Sequence, residues 1–242
     1  MQIVILLHEG VAAAEALGPF AVFHRVEGTD VRFAAVDPGD YLAHDPPVLL
    51  HANYALGQVP HPDVVVIPGG FGAHAMTENR ELVDWVRAVH ATSTWTTAIS
   101  TGSLVLGAAG VLTGLRVTGH WLTMEELERS GAHPAAARVV EDGRVMTAIG
   151  GVSAIEMALR VADRVTGGDA TARIRAEIMI DPENFNPKQS AALLAALRRW
   201  HREANGQPEP PSVWWRRARK RLRHGSRFMV TDFDDDQQQP VG

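Results

Sequence analysis

Apolar positions along this chain form two kinds of pattern, short and largely apolar runs and longer stretches with apolar residues every three or four positions. The runs are residues 2–7 (QIVILL), 31–36 (VRFAAV), 63–67 (DVVVI) and 94–99 (TWTTAI). Such runs mark strands of a parallel sheet buried on both faces. An Ala-rich segment up to Val26 predicts a helix with Leu17, Phe20, Ala21 and Phe23 inward, and Gly18-Pro19 inside it implies a kink or a late start. Residues 68–74 (PGGFGAH) turn the third run into a helix reaching about Ala91, whereas residues 38–62 read as irregular, with short extended pieces such as 48–50. Val117-Thr118 leads into Gly119-His120-Trp121 and a helix ending near Ser130. Residues 138–141 and 145–148 predict a hairpin turned by Asp142-Gly143, and helices follow over 153–165, 171–180 and 187–204. Strands alternating with helices predict an α/β three-layer sandwich: a mainly parallel sheet flanked by helices, flavodoxin-like, with a C-terminal helical extension. Ligands of such sheets sit at the carboxyl ends of the strands.

The stretch at residues 94–114 (TWTTAISTGSLVLGAAGVLTG) organises the rest. A buried strand ends in one abrupt turn at Ser100-Thr101, and a helix opens at Gly102 or Ser103, with Ser103 able to cap it. This is the pattern of a nucleophile elbow, in which the turn lifts one side chain above the sheet edge beside free helix N–H groups. Three loops at strand ends then converge: residues 9–15, 69–72 and 100–102.

Composition narrows the chemistry. With 242 residues, 45% hydrophobic and 21% charged, the chain is long enough for a sizeable core. No apolar run reaches the ~18 residues of a membrane span, and no basic, apolar, small-residue leader is recognisable, so the expectation is a cytoplasmic protein. There is no cysteine, which removes disulfides and thiolate chemistry. Seven of the 23 Lys and Arg lie in residues 212–230 and four of the 28 Asp and Glu in 231–242, which leaves residues 1–211 with 16 basic and 24 acidic groups, a charge of −8. Such a body has no basic footprint for nucleic acid. No HxxxH or HxH pair is present among the 11 His, so no metal site is expected, and PGGFG matches neither the dinucleotide nor the phosphate-loop pattern, so no cofactor is expected.

Glu15 stands among Ala12, Ala13, Ala14, Ala16 and Leu17, a setting that raises a carboxyl pKa and suits proton transfer. Gly69 and Gly70 offer backbone N–H groups to a developing anion. The elbow reads A-I-S-T-G rather than G-x-S-x-G, and no His is poised as a base for Ser100.

With these residues in view the chain resembles the PfpI-type superfamily, of class I glutamine amidotransferase-like fold. It is nearest to the isonitrile hydratase branch, with the parkinsonism-associated deglycase as a more distant relative. The resemblance covers residues 1–182. It rests, in order, on the first strand with Glu15 and Gly18-Pro19, on DVVVIPGGFG, on AISTGSLVLGAAGVLTG, on Gly119-His120-Trp121, on residues 145–159 (VMTAIGGVSAIEMAL) and on the segment 179–182. It implies a nucleophilic Cys at the elbow, where this chain has Ser100. It also implies Asp in isonitrile hydratases, and Glu in the deglycases, where this chain has Glu15. The glycine loop GGVSA is one residue shorter than usual, and a Pro usual near Glu9 is missing. Ser100 is either a replacement introduced to inactivate the enzyme or the mark of a natural protein that left covalent catalysis and works through its carboxylate; the broader divergence favours the second.

The resulting expectation is a cofactor-free small-molecule enzyme with Glu15 and Ser100 as catalytic residues. Gly69, Gly70, Thr101 and His120 would bind substrate or oxyanion, the reaction being isonitrile hydration or a diverged cyclase, isomerase or lyase step. The alternative is a non-catalytic ligand-binding or regulatory module of the same fold. The resemblance implies a homodimer. By domain, residues 1–186 form the α/β body, 187–206 its last helix, and 207–242 a linker, a basic Trp/Arg amphipathic helix and an acidic tail. That helix, residues 212–223, sets Trp214, Trp215, Ala218 and Leu222 against six basic residues. Burial of its tryptophans on the acidic body of its own or a partner subunit is expected ahead of a membrane or nucleic-acid contact.

Overall fold

The structure, a computed structural model, describes residues 1–44 and 47–178. The expectations for residues 187–206 and 207–242, including the Trp/Arg helix, lie outside the described residues. Met1–Ile180 is one compact unit.

In chain order the elements are β1 (Gln2–Leu6), α1 (Ala13–Phe23), β2 (Asp30–Ala35), β3 (Gly39–Ala43), β4 (Val48–Ala52), β5 (Tyr54–Ala55), β6 (Val64–Ile67), α2 (Ala73–Glu78), α3 (Arg80–Thr92), β7 (Trp95–Ile99), α4 (Ser103–Ala108), β8 (Arg116–Val117), α5 (Met124–Arg129), β9 (His133–Pro134), β10 (Val139–Asp142), β11 (Val145–Ala148), α6 (Val152–Thr166) and α7 (Gly168–Glu177). Seven strands make the central sheet in the order β10-β11-β7-β6-β1-β2-β5. Every neighbouring pair is parallel except the β10–β11 hairpin. The expected three-layer α/β architecture is therefore what the described residues form.

The unbroken apolar runs are explained by burial on both faces. In β1 and β6, Ile3, Ile5, Val64 and Val66 enter one core layer with α1 and α6. Leu6, Val65 and Ile67 enter the other, against α3 and α4. The register Ile3↔Val64, Val4↔Val65, Ile5↔Val66 aligns the two sets across the ladder. Helices α1 and α6 pack together closely: a Cβ built on Gly18 would lie 3.0 Å from Ile155 Cγ1.

Five local expectations change. Residues 38–62 are not irregular but carry the antiparallel pair β3–β4, paired from Gly39↔Ala52 to Ala43↔Val48. The helix expected to reach Ala91 is two helices, because Asn79 ends α2 and its side chain caps α3 by accepting the Leu82 N–H at 3.1 Å. The hairpin turns at Gly143-Arg144, one residue later than expected, since Asp142 pairs with Val145 and Gly143 takes φ +57°. Helix α1 starts early and runs through Pro19, with Leu17 exposed rather than inward. Ser103 does not cap α4; it is the first helical residue, and its hydroxyl donates instead to the Thr118 carbonyl at 3.0 Å.

Candidate active site

The carboxyl ends of β1, β6, β7 and β11 deliver four connections to one edge of the central sheet, and the segment after β8, a strand of the separate β8–β9 pair, joins them there. The first turn of α1 projects the Glu15 carboxylate over that edge, where it is buried. Its Oε2 accepts the Gly69 N–H at 2.8 Å and its Oε1 the Gly151 N–H at 3.3 Å. These donors come from the loops after β6 and β11, so three segments far apart in sequence meet at one side chain. Burial raises the Glu15 pKa above the usual carboxylate value; the two N–H donors, the Ser100 hydroxyl and the charge of His120 pull it back, without cancelling the rise.

Ser100 follows β7 as the first residue of a tight 3-10 turn, Ser100–Gly102, that runs into α4. Among the described residues it is the one non-glycine with positive φ, at +57°. A β-then-αL break of this kind turns the chain sharply enough to set the hydroxyl toward the carboxylate, and it is a conformation that a non-glycine holds only when its surroundings impose it. The surroundings here are glycines. A Cβ on Gly102 would press on the Ile67 and Pro68 carbonyls, and one on Gly150 would lie 3.1 Å from Glu15 Oε1 and 3.5 Å from Ser100 Oγ.

The expected oxyanion donors need correction. Gly69 and Gly70 do not present free N–H groups: the Gly69 N–H is held by Glu15, and the Gly70 N–H donates to Thr101 Oγ1 at 2.8 Å. Thr101 Oγ1 in turn donates to the Gly70 carbonyl at 3.0 Å. Its side chain thus closes the glycine turn onto the elbow rather than facing a ligand. Among the described residues the Thr101 backbone N–H makes no hydrogen bond, which leaves it as the donor of this trio open to a substrate.

His120 is placed near the pair, close enough for its charge to act on Glu15. Its Nδ1 accepts the Leu122 N–H at 3.3 Å, which assigns the proton of the neutral ring to Nε2. The segment that carries it is fixed by buried hydroxyls, with the Thr118 N–H donating to Thr147 Oγ1 and Thr118 Oγ1 to the Ala137 carbonyl, each at 2.8 Å. Sequence reasoning did not assign Gly151 as a donor. Its signal was the doublet Gly150-Gly151 ahead of α6, which takes φ +138° and +50°. No group of three or more His, Asp or Glu that could hold a metal ion occurs among the described residues. A cavity of about 210 Å³ lined by Arg160, Arg164 and Arg175 lies at the far end of α6 from this cluster.

Residues 1–164 match the DJ-1/PfpI family. The chain belongs to that family. Over 182 residues it is 31% identical to the isonitrile hydratase of Pseudomonas putida, covering 75% of this chain and 79% of that protein. It is 26% identical over 179 residues to Protein dj-1beta of Drosophila melanogaster, covering 73% of this chain and 95% of that one. Among solved structures, a ThiJ/PfpI family protein from Pseudomonas syringae superposes with a TM-score of 0.72 at 22% identity, over 85% of this chain and 89% of the other. The DJ-1/PfpI match ends inside α6, so it includes Glu15, the glycine turn, the elbow, His120 and Gly151. Ser100 is the elbow residue of this DJ-1/PfpI fold.

Proposed function

We propose that this DJ-1/PfpI protein is a cofactor-free small-molecule enzyme of the hydratase–lyase kind, converting an isonitrile to an N-substituted formamide by proton transfer through Glu15. The observation that carries the reading is the state of that carboxyl: buried, raised in pKa, and held asymmetrically by its two N–H donors. Oε2 is tied at 2.8 Å, whereas Oε1, with the longer 3.3 Å bond, is the oxygen less firmly held and the one assigned to carry and release a proton. A carboxyl with its pKa moved toward neutrality serves as acid and then as base.

In this reaction Glu15 Oε1 gives its proton to the terminal carbon of R–N≡C, whose lone pair forms the new C–H bond. Water then bonds through oxygen to that carbon while a C≡N π pair passes to nitrogen, and the water returns one proton to the Glu15 carboxylate. Transfer of the remaining hydroxyl proton to nitrogen yields R–NH–CHO. Ser100 Oγ holds the water, and the Thr101 N–H and the Nε2–H of His120 are the donors for the developing oxygen and nitrogen. A serine without a general base is a poor nucleophile, so the reading assigns it no covalent role. The resemblance extends the proposal to a homodimer.

Turnover of benzyl isocyanide, followed by loss of its infrared stretch, tests the assignment. Glu15→Gln is expected to lower kcat by about 10²-fold or more, the scale of a lost general acid–base, while Ser100→Ala keeps turnover within roughly tenfold of wild type, as fits the loss of a positioning hydrogen bond. Activity that survives Glu15→Gln and vanishes in Ser100→Ala sinks the proposal. A wild-type chain that binds the isocyanide without converting it is instead the ligand-binding module.

A further inference from the structure

Large apolar side chains left in water gather around the candidate site. Phe71, two residues after Gly69, is 83% exposed; Trp121, next to His120, is 69% exposed and Leu122 63%; Val152, next to Gly151, is 71% exposed. Each therefore sits one or two residues from a group that acts on Glu15. The Phe71 ring is held in place, stacked on His44 with centroids 4.0 Å apart and planes 23° from parallel, while His44 Nδ1 bonds the Gly10 carbonyl at 2.8 Å. Trp121 leans on the His120 ring at 5.6 Å. Helices α2 and α5, which follow these two loops, are joined by His74 and Glu126 at 3.7 Å. Exposed aromatic faces on two of the loops that carry the site's groups are the mark of a binding surface.

Charge around the mouth is as one-sided as its apolar surface. Residues 8–12, 68–72, 100–102, 118–123 and 149–152 contain no Lys or Arg. Arg138, whose carbonyl accepts the Ile149 N–H, turns its guanidinium to Glu156 at 3.0 Å. The N–H groups of Gly69, Gly70 and Gly151 are all spent inside the protein. Among the described residues the Thr101 N–H is left open, but no Lys or Arg on these loops accompanies it to receive a carboxylate or phosphate, and the ionised form of Glu15 would repel one.

We propose that this site takes an uncharged small molecule with a flat apolar body, which Phe71 and Trp121 hold while its polar reacting group reaches Glu15. The inference rests on the reading of the site as that of a small-molecule enzyme, and it does not require that the reaction be isonitrile hydration. Phe71 and Trp121 are then specificity-determining residues, set on the loops and separate from the proton-transfer group.

The test uses two probes of one shape and different charge, 2-naphthamide and 2-naphthoate, titrated calorimetrically into the full chain at neutral pH. The amide is expected to bind about tenfold or more tightly than the anion, and Phe71→Ala and Trp121→Ala each to weaken it about tenfold, with Trp121→Phe restoring most of the loss. Both positions are exposed, so the variants keep the wild-type melting curve. Equal affinity for the two probes, no amide binding, or amide binding indifferent to both alanine variants overturns the proposal. A fall in the light-scattering mass of the double variant does so too, by assigning the aromatic faces to a second copy of the chain. Amide binding that needs Phe71 and Trp121 in a protein that leaves benzyl isocyanide unconverted supports the substrate class and removes only hydration.

Discussion

At Glu15, burial and hydrogen bonding pull one proton in opposite directions, and burial prevails. The folded chain therefore binds this proton more tightly than the unfolded chain does. Stability contributed by the protonated form is fully present below the unfolded value of about 4.5 and is lost as pH rises from there to the raised folded pKa. Glu15→Gln removes that loss. The melting temperature of the variant relative to wild type is expected to climb with pH through this window and to stay level above it; a difference that is flat or falls across the window contradicts the assignment. The apolar setting of Glu15 and the sharp turn at Ser100 were legible in the sequence, one from its alanine neighbours and the other from a strand–turn–helix pattern around small residues. What the glycines do was not. Sequence shows that Gly69 and Gly70 have N–H groups to give, but not which neighbour accepts them. Gly151 meets Glu15 across a separation of 136 residues, which no local pattern reports.

Asn79 divides one stretch of helical periodicity in two. Apolar spacing continues across residues 73–92, which is why the stretch reads as a single helix, yet the Asn79 backbone is extended and its side chain takes up the Leu82 N–H. Asn79→Ala leaves that donor bare and is expected to cost about 1 kcal/mol of stability, read as a lower urea midpoint with an unchanged slope. An unmoved midpoint would show the cap to be idle. The β3–β4 pair was hidden for a different reason. Leu42 and Leu49 face each other across the pair and are both exposed, so apolar residues stand where alternation calls for polar ones. The central strands β1 and β6 read clearly because being covered on both faces leaves residues 3–6 and 64–67 without a polar position.

For the molecule as a whole, the proposal of a homodimer predicts a light-scattering mass of twice the 26.2 kDa chain, and a single-chain mass refutes it. The clamp on Glu15 has a further consequence for how such a chain can change over time. Both groups that grip the carboxylate are main-chain N–H groups, from Gly69 and Gly151. Side-chain replacement at neighbouring loop positions leaves them in place, because every residue but proline carries the same donor. Phe71, Trp121 and Val152 can therefore be exchanged, and the range of accepted molecules with them, without removing either donor. To loosen that main-chain grip, a lineage has to lengthen, shorten or redirect a loop. Point mutation drifts across the range of accepted molecules, and insertion or deletion reaches the main-chain grip on the carboxylate.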